Sequence, residues 1–305
     1  MRKAETPRPD PTVIGSIVEP PFVRLPGAGL LFATRAKRFN ALADYHELGP
    51  YLRFLAALSD CQHRLQDGLP DPEMPGSDVS ARAREHGMPP LDRSRFIMDE
   101  ALDATLHRLF SLAAEINMPD RARAALERSR TANSAARSEM LHAALTESIP
   151  IEAMADHVYV AAALQVHFAR LAARFDPGRL VPVGDGACPV CGAAPVASAI
   201  VGWTGAHGSR FCTCWLCATQ WHVVRIKCVL CGSTKGIAYQ EIDGGTGTIK
   251  AETCEICRGY VKILHQHKEP ELDPAADDVA SLGLDLLLRE AGYRRGALNP
   301  FLFGY

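Results

Sequence analysis

The first half of the chain carries apolar side chains at helical spacing. Between positions 31 and 175 the sequence is rich in Ala, Leu and Arg, and apolar and polar residues almost never alternate as they do in strands. This pattern predicts a helical bundle. The expected helices cover residues 31–44, 50–66, 94–116, 120–131, 135–146 and 151–175, and the five prolines between positions 68 and 90 predict an irregular loop.

Helical periodicity stops at residues 176–186, where Pro and Gly become frequent, and this stretch is predicted to be a linker. A last helix is expected over residues 273–291. Asp273 suits its N-cap, and Asp277 and Asp278 suit the positive end of its dipole.

Between these regions lies a cysteine repeat. Eight of the ten cysteines form four C-x-x-C pairs, which are Cys188/Cys191, Cys214/Cys217, Cys228/Cys231 and Cys254/Cys257. Corresponding cysteines are 40 positions apart, so the segment consists of two tandem copies of one pattern. Residues 188–227 are called copy one here, and residues 228–267 are called copy two.

The spacing within each copy is typical of a metal site. Two residues between cysteines let a tight turn aim both sulfurs at one ion, and two such knuckles complete a tetrahedral S4 site. Gly192 and Gly232 follow the first knuckles, where a positive φ favours glycine. Disulfides or a thioredoxin-type redox pair are the alternatives, but four pairs in one repeat exceed what a redox motif needs.

A β-rich run follows the second knuckle of each copy, at residues 221–224 and 260–264, and is predicted to be a closing strand. The predicted fold class is therefore α+β, with an N-terminal helical bundle, two tandem rubredoxin-like or zinc-ribbon metal modules of four cysteines each, and a C-terminal helix. The expected domains are an irregular N-terminal segment at 1–30, a helical domain at 31–180, the metal modules at 188–227 and 228–267, and a C-terminal helix and tail at 268–305.

Two cysteines and the tryptophans fall outside the repeat pattern. Cys212 corresponds to Glu252 in copy two, so symmetry argues that it is not a ligand, and Cys61 is expected in a helical core. All three tryptophans lie in copy one. Rings packed over the hairpins are the ordinary interpretation, and the alternative is that Trp215 is an exposed anchor for a partner.

Composition and charge argue against several classes of function. A net charge of −2 and a pI near 6.6 leave the chain without the electrostatic footprint of a nucleic-acid or membrane-surface protein. Residues 1–16 lack the apolar run of a secretory signal, and the most apolar helix carries Gln165, His167 and Arg170, so neither export nor a membrane span is expected. The predicted location is the cytoplasm, where thiols stay reduced.

No motif of a known catalytic class occurs. The sequence has no P-loop, no G-x-G-x-x-G, no G-x-S-x-G and no kinase signature, and its histidines lack ligand spacing. The chain is therefore predicted not to be an enzyme.

Several stretches resemble one family. Residues 188–192, 210–217 and 221–228, together with 250–254, 260–264, 276–282 and 299–302, are similar to the bacterial formate dehydrogenase accessory proteins of the FdhE family. Upstream, Leu31, Phe32 and residues 35–39 match the opening helix of that family.

The resemblance implies an accessory protein for the maturation of respiratory formate dehydrogenase, which contacts the catalytic subunit in the cytoplasm. It also implies two metal ions in the four-cysteine sites and favours iron, whereas the residues alone allow zinc. Trp215 and Arg225 are the candidate partner contacts. Arg225 is alternatively a structural partner of Asp277 or Asp278, and a homo-oligomer is left open.

Two other functions compete with this interpretation. A rubredoxin-like redox helper or electron carrier is the first, because S4 coordination serves iron as well as zinc. A zinc-ribbon nucleic-acid binder is the second, although residues 188–267 carry only seven Lys and Arg against four Asp and Glu.

Overall fold

The computed structural model describes residues 19–302, and its first half is helical. The helices are Ala28–Ala43 (α1), Gly49–Arg64 (α2), Ser77–Glu85 (α3), Glu100–Ala113 (α4), Asp120–Thr131 (α5), Ser134–Leu145 (α6) and Met154–Ala172 (α7). Short 3₁₀ turns occupy Arg93–Arg95, Ile151–Ala153, Pro177–Arg179 and Pro300–Leu302.

Helix α7 lies at the centre of this helical half. Fourteen of its nineteen residues are buried, and it packs against α2, α4, α5 and α6. The run Ala161, Ala162 and Ala163 is completely buried, and such small side chains let neighbouring helices approach closely. The bundle predicted from periodicity is therefore confirmed, with one helix surrounded by the others.

One predicted helix start and one predicted loop in the helical half were wrong. The helix expected at 94–116 begins at Glu100, because Asp99 accepts a hydrogen bond from the Leu102 N–H at 2.7 Å and caps it. The loop expected between positions 68 and 90 contains α3. None of the residues of α3 is buried, so it has no apolar face for a periodicity argument to detect.

The second half, joined by one strand from the N-terminal region, forms one mixed sheet. Its strands are Val23–Arg24 (β1), Pro195–Ile200 (β2), Arg210–Cys214 (β3), Gln220–Val223 (β4), Ile237–Gln240 (β5), Ile249–Cys254 (β6), Gly259–Leu264 (β7) and Arg294–Arg295 (β8). The order across the sheet is β1-β4-β3-β2-β7-β6-β5, and β8 pairs with β7. The closing strands predicted after each second knuckle are present as β4 and β7.

The strand arrangement of the sheet repeats in the two copies. Strands β2, β3 and β4 form an antiparallel meander in copy one, and β5, β6 and β7 form the corresponding meander in copy two. The first strand of copy one pairs in parallel with the last strand of copy two, with Ser198 opposite Ile263. The two copies therefore follow each other in the same order across one continuous sheet.

The N-terminal segment was expected to be irregular up to residue 30. Instead, Val23 pairs with Trp221 at the outer edge of copy one, and α1 begins at Ala28. Residues 1–18, which carry the rest of that prediction, lie outside the described part of the chain.

Two short helices, Ala276–Ala280 (α8) and Leu282–Glu290 (α9), replace the single final helix that was expected. The buried Lys262 ammonium donates hydrogen bonds to the Asp278 carbonyl at 2.8 Å and to the Ser281 carbonyl at 3.1 Å. Because these carbonyls face a side chain of β7, the helix is interrupted at Ser281. Asp273 does close the turn into α8, since its Oδ1 accepts from the Ala276 N–H at 2.8 Å.

Buried ion pairs join the two halves of the molecule. Arg38 of α1 donates to Asp277 at 2.6 Å, and Arg35 donates to Asp273 at 3.3 Å. Asp278 instead pairs with Lys262 and Arg295. No helix within residues 19–302 is long and apolar enough to cross a membrane.

Candidate metal centres

The four thiols of copy one converge on one point. The Sγ atoms of Cys188, Cys191, Cys214 and Cys217 all lie within 4.8 Å of one another. The Cys188–Cys217 and Cys191–Cys214 sulfurs are each 3.5 Å apart. A tetrahedral S4 site with metal–sulfur bonds of about 2.3 Å needs sulfurs about 3.8 Å apart, so this donor set fits a zinc or iron ion.

Copy two repeats the arrangement. The sulfurs of Cys228, Cys231, Cys254 and Cys257 also lie within 4.8 Å of one another. The Cys228–Cys257 and Cys231–Cys254 distances are both 3.8 Å. The structure thus groups the thiols within each copy, as the repeat predicts, and each cluster could hold one metal ion.

Local backbone geometry explains why each pair forms a knuckle. The Gly192 N–H donates to the Cys188 carbonyl at 2.8 Å, and the Gly232 N–H donates to the Cys228 carbonyl at 2.8 Å. Both glycines have φ of +73°, in the left-handed region that glycine favours. The second knuckles adopt the same conformation without glycine, at Ala218 (φ 57°) and Arg258 (φ 55°).

The two clusters differ in solvent access. All four cysteines of copy one are buried, whereas in copy two Cys231 is exposed and Cys257 is half-buried. Burial raises the pKa of the Cys191 and Cys214 thiols well above their usual range. A bound cation would reverse that preference, because metal coordination requires thiolates.

In copy two, burial raises the pKa of Cys228 to about 12. Burial acts in the same direction on Cys254, but backbone N–H groups of Cys257 and Ile256 bond its sulfur and hold its pKa below the usual value. These N–H groups belong to the second knuckle, so this turn favours a thiolate at its first cysteine.

The remaining two cysteines lie away from the clusters. Cys212 is completely buried in the core, and burial raises its pKa to about 12. Cys61 of α2 is 3% exposed and belongs to the helical core, as predicted. Burial raises its pKa to about 11. Both thiols are therefore protonated and poorly reactive near neutral pH.

The interpretation of Trp215 as an exposed anchor was wrong. Its side chain is 3% exposed, and its Nε1 donates to Glu147 at 3.2 Å. Its carbonyl accepts from Gln165 of α7 at 2.9 Å. The ring packs into the main core, as the ordinary interpretation of these tryptophans expects.

Arg225 is exposed, but it is not a partner of the C-terminal helices. Asp277 is bound by Arg38, and Asp278 is bound by Lys262 and Arg295, so the predicted structural pairing of Arg225 was wrong. Arg225 therefore remains a prediction as a partner contact only.

The sequence did not predict the buried ion pair that links the two copies. Arg210 of β3 donates to Glu252 of β6 at 2.7 Å, and both side chains are almost completely buried. Arg210 also donates to the Ser198 hydroxyl at 3.2 Å. Burial raises the pKa of Glu252, and the Arg210 charge opposes that shift. Neither Arg210 nor Glu252 lies in a strand that was predicted from the sequence, so no local pattern pointed to this ion pair.

Comparison with known proteins agrees with this architecture. Family models of FdhE match the chain as its N-terminal region at residues 20–185, its central domain at 187–225 and its C-terminal domain at 226–302. A protein FdhE homolog of Rhizobium meliloti is 46% identical over 98% of both chains. A homolog of Proteus mirabilis is 35% identical over 93% of this chain and 92% of the relative.

A solved structure shares the fold. The crystal structure of the FdhE protein from Pseudomonas aeruginosa superposes with a TM-score of 0.84 and 34% identity, over 93% of this chain and 99% of that chain. The resemblance found in the cysteine knuckles therefore extends over nearly the whole chain. On both sequence and structure, this chain belongs to the FdhE family of formate dehydrogenase accessory proteins.

Proposed function

We propose that this chain assists the maturation of formate dehydrogenase by binding the catalytic subunit in the cytoplasm, and that it is not itself an enzyme. The observation that carries the proposal is the pair of four-cysteine clusters built into one continuous sheet, in a member of the FdhE family. Metal ions in both clusters would fix the hairpins without providing a substrate pocket. A rigid surface of this kind suits recognition of another protein.

The exposed residues near the junction of the copies support a binding role. Val224 is 58% exposed and Ile226 is 61% exposed, and Arg225 lies between them. The Arg225 carbonyl accepts hydrogen bonds from Arg210 and from the Tyr239 hydroxyl, each at 3.4 Å, which fixes the backbone. Exposed apolar residues beside an arginine are typical of protein contacts.

Capture of the catalytic subunit tests this function. The chain, carrying an affinity tag, is produced together with the formate dehydrogenase catalytic subunit of the same cell, and the amount of subunit that copurifies is measured. We expect the wild-type chain to capture it, and Arg225→Ala to capture less with unchanged metal content. Full formate dehydrogenase activity in cells that lack this chain would contradict the accessory role.

The metal requires a separate measurement. We propose iron in both clusters, on the resemblance to the family, with zinc as the alternative that the same S4 donors allow. Metal analysis of anaerobically purified chain should give two ions per chain. One ion or none would contradict the proposal that both clusters are occupied.

A redox helper is the second candidate function. It is favoured by the exposure of Cys231, since an electron carrier needs a ligand sulfur near its surface. Reversible bleaching of an iron chromophore, with a measurable reduction potential, would support this function. A colourless zinc protein would exclude it.

A further inference from the structure

The knuckles of copy one are covered by the helical half of the same chain. The Leu91 N–H donates to the Val190 carbonyl of the first knuckle at 2.9 Å. Gln165 of α7 donates to the Trp215 carbonyl of the second knuckle at 2.9 Å. Leu216, at the tip of that knuckle, is 1% exposed. Each knuckle of copy one therefore has one backbone carbonyl that accepts a hydrogen bond from the helical half. The second knuckle also has an apolar side chain at its tip, and that side chain is buried.

Copy two presents its second knuckle without a cover from the helical half, whereas the Leu230 side chain of its first knuckle is half-buried against Gly296. The 40-residue repeat places Leu230, Glu255 and Ile256 at the positions of Val190, Trp215 and Leu216. Ile256 is 65% exposed. Among residues 19–302, no hydrogen bond reaches the Leu230 or Glu255 carbonyl.

Charge distinguishes the two faces as well. In the helical half, Glu147 reaches the Trp215 indole and also pairs with Arg93 at 3.1 Å. On copy two, Arg258 pairs with Glu255, and Lys235 is exposed. Arg294 of β8, whose N–H donates to the Arg258 carbonyl, is also exposed, and neither Lys235 nor Arg294 has a carboxylate partner within the described residues. The open face therefore has unpaired positive charge, which an acidic partner would complement.

We propose that the knuckle face of copy two, formed by Cys231, Lys235, Glu255, Ile256 and Arg258 with the adjacent Arg294, docks a segment of the formate dehydrogenase catalytic subunit. The proposal rests on the function proposed above. The contact of copy one with its own helices defines the chemistry of that segment. It presents an apolar surface that covers Ile256, as the core covers Leu216, an N–H or amide donor for each free carbonyl, and carboxylates for Lys235 and Arg294.

The occupant is a partner and not the helical half, because the helices that cover copy one are already committed there. Gln165 contacts Trp215, and Leu91 contacts Val190, so neither donor is free to serve copy two. Because β2 and β7 pair in parallel, the strands of the two copies follow in the same order across the sheet. The copies are therefore not related by a two-fold axis, which would be needed to bring both knuckle faces to one set of helices.

Substitution at the apolar tip tests the proposal. The tagged chain is produced with the catalytic subunit, and capture by Ile256→Glu is compared with capture by the wild type. We expect at least a tenfold loss, because a carboxylate would be buried against an apolar surface. Ile97→Glu is the matched control, since Ile97 is 84% exposed in the helical half, and it should capture normally. Unchanged metal content and melting temperature would show that Ile256→Glu still folds.

The outcomes separate the two proposals. Failure of the wild type to capture the subunit would overturn the proposed function. Normal capture by the wild type and by Ile256→Glu alike would overturn the docking face alone. Hydrogen exchange should slow at residues 228–236 and 254–259 in the complex, and protection found only elsewhere would also overturn the face. If light scattering instead shows a dimer that Ile256→Glu dissociates, the occupant is a second copy and the proposal is wrong.

Discussion

The two four-cysteine clusters share one local geometry and one strand arrangement, but they differ in how far the rest of the chain covers them. Their cysteine spacing is the same, and their first knuckles close with hydrogen bonds of equal length. Copy one lies against the helical half and all its thiols are buried, whereas copy two keeps Cys231 and Ile256 at the surface. A cysteine pattern therefore builds a site, and the rest of the chain decides whether that site belongs to the core or to the surface.

This difference implies a division of labour. The thiols of copy one are part of the same core as α7, so loss of its geometry would disturb the helical half as well. Copy two pairs with copy one through β7, contacts α9 and β8 through Tyr260 and Tyr293, and keeps Cys231 and Ile256 exposed. We expect copy one to stabilise the fold, and we expect partners to contact the knuckle face of copy two as well as Arg225 at the junction of the copies.

Removal of ligands should have the largest effect. Cys188→Ser with Cys191→Ser should unfold most of the chain, because a structural S4 ion contributes on the order of 10 kcal/mol and a whole domain has only about 5–15 kcal/mol of stability. Cys228→Ser with Cys231→Ser should release one ion and leave the helical half folded. Circular dichroism and metal analysis would measure both. Equal damage from the two pairs would contradict the comparison.

Disruption of the buried Arg210–Glu252 ion pair should have the next largest effect on stability. Arg210→Ala leaves the Glu252 carboxylate buried without its cation, which should lower the free energy of unfolding by about 3–5 kcal/mol. Lys250 is the matched control, because it occupies the position of Arg210 in copy two and its pair with Glu241 is partly exposed. Lys250→Ala should cost about 1 kcal/mol or less. Urea denaturation would measure the free energy of unfolding of both variants. Similar losses for the two would contradict the conclusion that the Arg210–Glu252 pair is the more important one for stability.

Substitutions at the tips of the two second knuckles should differ clearly in their effect on the stability of the isolated chain. Leu216→Ala removes a completely buried side chain and should lower the free energy of unfolding by about 3 kcal/mol. Ile256→Ala should change it by about 0.5 kcal/mol or less, because the side chain is 65% exposed. Thermal melts of the two variants are the measurement. A large loss for Ile256→Ala would mean that copy two is covered after all.

The smallest effect concerns the left-handed residues after the second knuckles. Ala218→Gly should raise the free energy of unfolding by about 1 kcal/mol or less, because glycine adopts this conformation without strain. Arg258→Gly should bring no such gain. Arg258 pairs with Glu255 and lies 4.2 Å from the Tyr293 ring centroid, and glycine would lose both contacts. Stabilisation by Arg258→Gly would show that these contacts contribute nothing.

Periodicity predicted most of the helical half, because an amphipathic helix repeats its apolar positions within a few residues of one another. It failed for α3, which buries no side chain and therefore leaves no such pattern. It also failed at Ser281, where the helix is interrupted by Lys262, a residue of β7. At Ser281 the missing information concerned a neighbour from a distant part of the chain.

The sequence by itself determined the two thiol clusters, because the geometry of a C-x-x-C knuckle depends on a few adjacent residues and the repeat states which knuckles belong together. Only the tertiary structure decided that Trp215 is buried, that Arg38 and not Arg225 binds Asp277, and that Arg210 joins the copies through Glu252. Those contacts link residues 42 to 239 positions apart. Burial and pairing over such separations depend on how whole elements pack, which no local pattern encodes.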